Sequence, residues 1–381
     1  MGVELIEYIE HFFLLISMCI FIASSVAFVS SRKKTKDEDL KIKKWEKKIT
    51  DVLSDADLNL DTMQKHWQEM KDQLTSTDEL LAYGEALVSI RNRFDGDFVQ
   101  KYIDMSADVF NHLAYFYKQR GSPEKGAFSF IMANLHPGAS LGNTELPEVL
   151  LTYFDDADSD CIENILLALC TIGYPQSIAR AFEIVTENKW TCSTQLLSDA
   201  LTWTVGNRKD LATYLALRLM RWNESIQVTI IKFVTNVSGE FADGFLEALQ
   251  DSRIPTETRF ALIRYFGRWI YNPAKPLLIR ITKEDDPVGY AVASAQVLKK
   301  YSGEDTKEAL ISALRSSNWD VRRNAAMSLI ELGADMKDVI EMNKNGDAYA
   351  AQMLGYYLQE RNVGRVSRSG EVRRMDARGE M

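Results

Sequence analysis

The chain has 381 residues, 46% hydrophobic and 26% charged, a globular balance that excludes an intrinsically disordered protein. Its net charge of −9 is uneven: residues 1–31 carry −3, 32–48 carry +5 and 361–381 carry +3, which leaves −14 on 49–360. An acidic body repels phosphate backbones and excludes a nucleic-acid partner, and 8 prolines with 20 glycines are too few for a turn-rich strand fold.

From Phe12 to Val29 the chain reads FFLLISMCIFIASSVAFV, without a charge. As a helix this run spans roughly 27 Å, close to the hydrocarbon thickness of a bilayer. A cleaved signal peptide would begin with positive residues, whereas Glu4, Glu7 and Glu10 stand here. A retained single-pass anchor is therefore expected. Nine Lys or Arg residues follow within 32–48, Lys33 and Lys34 among the first. The positive-inside rule places that side in the cytoplasm, with the N-terminus outside. The same basic segment is expected to contact anionic lipid, each cation contributing roughly 1 kcal/mol near the surface; fixing topology alone is the other reading.

Beyond the anchor, Asp61–Leu74 and Ser76–Phe94 have the apolar periodicity of helices, with Thr77, Asp78 and Glu79 as a helix start. Asp97–Gln119 carries one long apolar stripe: Phe98, Tyr102, Met105, Val109, Leu113 and Phe116. Gly121–Pro147, with His136-Pro137-Gly138, reads as a short helix flanked by loops.

From residue 160 the chain repeats itself. Asp160–Gly173 (DCIENILLALCTIG) aligns with Asp320–Gly333 (DVRRNAAMSLIELG), 160 residues or five steps of 32 away. Intermediate copies begin at Ser193, Ser225, Glu257 and Gly289. The tenth slot holds Leu169, Thr202, Val234, Phe266, Leu298 and Leu329; the thirteenth holds Ile172, Val205, Val237, Trp269, Tyr301 and Leu332. Second helices are expected at 175–187, 208–220, 240–250, 273–282 and 305–315. A pair of amphipathic helices cannot bury its own faces, but stacked copies can. The fold class expected is all-α, an α-solenoid of period about 32 preceded by a single N-terminal transmembrane helix.

The stretch from Asp320 to Gly333, with Asp320, Val321, Arg322, Ala325-Ala326, Leu329 and Gly333, resembles the second helix of a HEAT repeat of the phycobilisome-lyase-like type. The 286–302 copy is a looser match, and earlier copies keep the spacing without the Arg and the Ala pair. The resemblance implies a membrane-anchored bacterial HEAT-repeat protein in which Asp286, Asp320, Arg322 and Arg323 form ladders between neighbouring turns. The chain then divides into an extracytoplasmic N-terminus and span (1–31), a basic juxtamembrane segment (32–48), a helical first part (49–147, irregular at 121–147), HEAT-like repeats (148–360) and a disordered basic tail (361–381).

No motif for catalysis, a cofactor or a metal appears: His11, His66, His112 and His136 lie at no metal-ligand spacing, and GxSxG, the P-loop and GxGxxG are missing. Glu-Asp-Asp at 284–286 reads as a solvated turn. Cys19, Cys161, Cys170 and Cys192 form no CxxC pair. Trp190 and Trp222 stand one period apart, three residues before a repeat helix; they pack under the turn or form an exposed row for a partner. With Arg322, Arg323, Lys33 and Lys34 they are the candidate partner- or lipid-binding residues. The function expected is a non-enzymatic scaffold or accessory subunit at the cytoplasmic face, binding a membrane protein, by analogy beside an envelope polysaccharide or secretion system. The alternative implied by the resemblance is a bilin-lyase-like HEAT enzyme.

Overall fold

The computed structural model describes residues 36–54, 60–137, 144–283 and 287–361. The expected span at 12–29, Lys33, Lys34, the turn at 284–286 with Asp286, and the tail from 362 onward lie outside the described residues. Among the described residues no strand occurs, and no helix is long and apolar enough to cross a membrane. Twenty α-helices are described, in two compact units.

The first unit, 1–181 with 203–206, contains α1 (36–54), α2 (Leu60–Gln73), α3 (Thr77–Arg91), α4 (Gly96–Met105), α5 (Ala107–Lys118), α6 (Ser122–Leu135), α7 (Glu145–Leu151) and α8 (Ser159–Ile172). Its helices pack in sequence, α3 on α6, α6 on α8, α2 on α5 and α5 on α7. Residues 36–48, read as juxtamembrane, are helical and packed. Trp45 is fully buried, its indole N–H donates to Glu79 Oε2 at 2.8 Å, and its ring meets Tyr83 edge-on at 5.2 Å. Lys41 and Lys48 pair with Asp78 and Glu69, while Lys43, Lys44 and Lys47 stay exposed.

The long stripe over 97–119 is broken. Ser106 separates α4 from α5 and turns its hydroxyl onto the Tyr102 carbonyl at 3.0 Å, the local side-chain competition that bends helices. As a result Tyr102, Val109 and Leu113 are buried while Phe98 and Met105 are exposed. The helix start at Thr77 is also simpler than expected: Thr77 is the first helical residue and Ser76, the N-cap, makes no side-chain bond. Within the stretch read as irregular, α6 has 14 residues and carries a full buried face.

The tyrosines tie this unit together. The Tyr117 hydroxyl donates to the Leu74 carbonyl at 2.9 Å and the Tyr153 hydroxyl to the Ala114 carbonyl at 2.6 Å. Their rings flank Phe128, 5.0 Å and 6.3 Å away.

At the end of α6, His136 sits in the left-handed region (φ 51°) and its amide donates to the Met132 carbonyl. Burial, helped by Arg91, pushes its pKa down to about 4. Below pH 6.5 the unfolded chain takes a proton that the folded chain refuses until about pH 4. Stability present above 6.5 is therefore lost as pH falls through that window, on the order of 2 kcal/mol for a partly exposed ring. His136→Asn, which keeps a residue tolerant of this backbone, should flatten the pH dependence of the urea midpoint between pH 7 and 4. An unchanged slope would show that another group titrates there.

The second unit, 182–202 with 207–381, contains α10 (Thr194–Thr202), α11 (Arg208–Ala216), α12 (Glu224–Val237), α13 (Ala242–Gln250), α14 (Thr256–Arg268), α15 (Lys275–Thr282), α16 (Val288–Val297), α17 (Glu304–Ala313), α18 (Trp319–Glu331), α19 (Met336–Lys344) and α20 (348–361); α9 (Pro175–Glu187) holds the boundary at residue 182. Even-numbered helices stack in a row, α10 on α12, α14, α16 and α18 in turn, and α11, α13, α15 and α17 each pack on the next even helix. This i to i+2 packing is that of a solenoid-like array.

The repeat register accounts for this row. Slot ten is buried at Leu169, Val234, Phe266, Leu298 and Leu329, and half exposed only at Thr202. Slot thirteen is buried at Ile172 and Tyr301, intermediate at Val237, Trp269 and Leu332, and exposed at Val205. The terminal glycines have a backbone reason: Gly173, Gly206 and Gly333 take φ of 89°, 108° and 98°, where a side chain is strained. Asp160 and Asp320 lie in the first turns, one residue after α8 and α18 begin. The caps stand earlier, Asp158 accepting from the Cys161 amide and Asn318 from the Val321 amide.

Ion pairs link consecutive units: Lys209 to Glu240, Lys275 to Asp305, Lys299 to Glu331 and Arg315 to Asp347. Asp286 of the expected ladder lies outside the described residues, and Arg322 braces its own turn. Its guanidinium donates to the Ser316 and Ser317 carbonyls, both at 2.8 Å, within its own turn. Arg323 is exposed and lies 5.3 Å over the Trp319 ring.

Candidate binding groove

A concavity of about 630 Å³ opens in the second unit along α10, α12 and α14, beside the turn that follows α9. The turn is built by Lys189, whose left-handed backbone (φ 56°) lets the Trp190 amide reach back to the Val185 carbonyl at 3.0 Å. Trp190 is thereby placed on the groove wall.

Asn223 locks this turn to α12. Its amide N–H donates to Thr186 Oγ1 (3.1 Å), its Nδ2 donates to the Trp190 carbonyl (2.9 Å), and its Oδ1 caps α12 through the Ile226 amide. Trp222, one residue before, turns the other way. It is 4% exposed and meets Phe182 edge-on at 5.8 Å, while its carbonyl accepts from Gln227. Gln227 in turn accepts from Thr258 in α14 at 2.8 Å, a buried polar tie between neighbouring helices. Of the two tryptophans, Trp190 faces the groove and Trp222 packs under the turn, and Asn223 brings them together. Arg322 and Arg323 lie on α18, away from the groove lining.

The groove is lined by hydroxyls, amides and charges together with Trp190, Val228 and Ala261; most of its exposed lining is apolar, and it holds no histidine or cysteine. Its cations are Lys189, Lys232 and Arg264, and its carboxylates are Glu224 and Glu257. Glu224 Oε1 accepts from the Glu257 amide at 2.6 Å, so it is spent on the first turn of α14, where a negative charge suits the helix N-terminus. Lys232 Nζ donates to Thr194 Oγ1 at 3.0 Å. The acidic groups thus stand at helix starts, and Lys232 and Arg264 further along α12 and α14. Such an open trough, mostly apolar with polar and charged groups along it, can hold an extended chain by apolar contact and hydrogen bonds.

Lys232 and Arg264 occupy the eighth slot of consecutive copies, which elsewhere holds Leu167, Ala200, Gln296 and Met327. Among the described residues no group of His, Cys, Asp or Glu side chains is arranged to hold a metal ion. No known protein-family profile matches the chain and comparison with curated proteins gives no match, so the chemistry of the groove is read from its own residues alone.

Proposed function

We propose that the chain is a membrane-tethered, protein-binding scaffold of HEAT type, anchored by residues 12–29 with its helical body in the cytoplasm. The observation that carries this reading is the open groove of mixed apolar and charged lining that runs along three stacked helices, a broad recognition surface. The partner is a membrane protein, by analogy part of an envelope polysaccharide or secretion assembly. Tethering confines the body to a layer beneath the bilayer, where a weak contact becomes well occupied through effective concentration.

The test is amine-reactive cross-linking in intact cells, comparing the full chain with one starting at residue 32 at matched expression. The full chain should cross-link to a membrane protein, and the unanchored chain should lose at least about nine-tenths of that product. Undiminished cross-linking without the anchor, or products with soluble proteins alone, would sink the reading.

A further inference from the structure

Resting on the scaffold reading, we infer that the groove along α10, α12 and α14 takes an extended acidic peptide segment of the partner, with its carboxylates on Lys232 and Arg264. Elsewhere in this unit Lys209, Lys275, Lys299 and Arg315 each meet a carboxylate about one repeat further on. Lys232 and Arg264, two of the three groove cations, have no such carboxylate. Among the described residues neither forms an ion pair: Lys232 reaches only the neutral Thr194 hydroxyl and Gln195 amide oxygen, and Arg264 lies 6.0 Å over the Phe260 ring.

A second observation points to a ligand independently. Ser198 lines the groove, is 1% exposed, and its hydroxyl has no hydrogen-bond partner in the protein. A buried hydroxyl is normally satisfied, and a peptide N–H or C=O in the groove would satisfy it. The side-chain amide of Asn236 on the same wall carries both donors and an acceptor, as a main chain requires.

Spacing selects the form of the segment. Lys232 and Arg264 stand at one register on neighbouring helices, whose axes lie about 8–10 Å apart. A polyproline-II strand repeats every three residues and rises about 3.1 Å per residue. Acidic side chains at positions i and i+3 therefore fall about 9 Å apart on one side. Glu224 and Glu257, at the helix starts, disfavour further acid there and so set the direction in which the segment lies. A phosphate polymer would instead meet these carboxylates and the −14 body at many points.

The test uses the full-length protein in mild detergent and a fluorescein-labelled dodecapeptide with Glu at every third position. Its counterpart has Gln at those positions. By fluorescence anisotropy the Glu peptide should bind at least about tenfold more tightly than the Gln peptide and weaken severalfold between 50 and 300 mM salt. Lys232→Gln with Arg264→Gln should cost about tenfold, whereas Lys209→Gln, outside the groove, should change little. Equal binding of the two peptides to the unmodified protein would overturn the inference, whatever the variants do. So would undiminished Glu-peptide binding by the double variant, or displacement by single-stranded RNA at lower concentration. Recovery of membrane partners with the same proteins separates the two ideas. If partners stay with the double variant while the peptide fails to bind, the groove is wrong and the scaffold stands. If the unmodified chain binds the peptide yet recovers no membrane partner, the groove stands and the scaffold falls.

Discussion

Replacing Phe266 by Ala should destabilise the second unit by roughly 3–5 kcal/mol, the cost of emptying an aromatic site in a packed interior. Phe266 fills slot ten of α14 and is fully buried, 5.4 Å edge-on from Tyr265. Its carbonyl also accepts the buried Tyr301 hydroxyl at 2.9 Å, so relaxation of α14 to fill the space would disturb the next repeat. Thr202 occupies the same slot of α10 half exposed, its hydroxyl bonded to the Ser198 carbonyl. Thr202→Ala should cost less than about 1 kcal/mol. Urea unfolding followed by circular dichroism reads both, and hydrogen exchange should show α14 and its neighbours α12 and α16 opening first in Phe266→Ala. Equal losses at the two positions would mean that the register is misassigned.

Gly173→Ala is the second large effect expected. Gly173 ends α8 with φ 89°, and its amide donates to the Leu169 carbonyl at 3.0 Å. A methyl group there would overlap Thr204 Oγ1 and come within 2.9 Å of the Val205 carbonyl oxygen. The left-handed backbone costs about 1–2 kcal/mol for an alanine, and forced repacking adds about 1–3. Gly333 makes the comparison clean: its φ is 98° but nothing lies within 4 Å of an added methyl. Gly333→Ala should carry the backbone cost alone, about 1–2 kcal/mol. If the two glycines respond alike, the contact at Thr204 contributes nothing.

These residues show what could be read without coordinates. Slot ten and the closing glycines were legible because burial and backbone handedness constrain residue type directly: large and apolar in one, no side chain in the other. The second helices were legible too, and Pro175–Glu187 has the bounds expected. The copy at Ser193 was the weakest, and Thr202 was its warning. There α10 is short, and Val205 is 38% exposed with its amide donating to the Thr171 carbonyl. The first unit hid its order. Tyr83, Tyr117 and Tyr153 recur at 34 and 36 residues, yet two of the three links run from a phenol to a main-chain carbonyl, which any sequence can supply. Trp45 was passed over because lysines surround it. The groove was hidden for a related reason: Lys232, Arg264 and Ser198 look like ordinary polar positions until the fold brings α10, α12 and α14 side by side.

In the proposed tethered arrangement the docking of α1 would set the length of the leash. Trp45, Ile49 and Leu53 fix that helix to the body, so it cannot pay out as slack. With the proposed span ending at Val29 and α1 under way by residue 36, six residues of chain separate the two. Fully stretched they reach about 20 Å. A body held that close would sweep a shallow disc beneath the lipid and could engage only what protrudes a short way from the membrane. Lengthening the leash with a flexible insert after Ser31 would then widen the disc and thin the local concentration together.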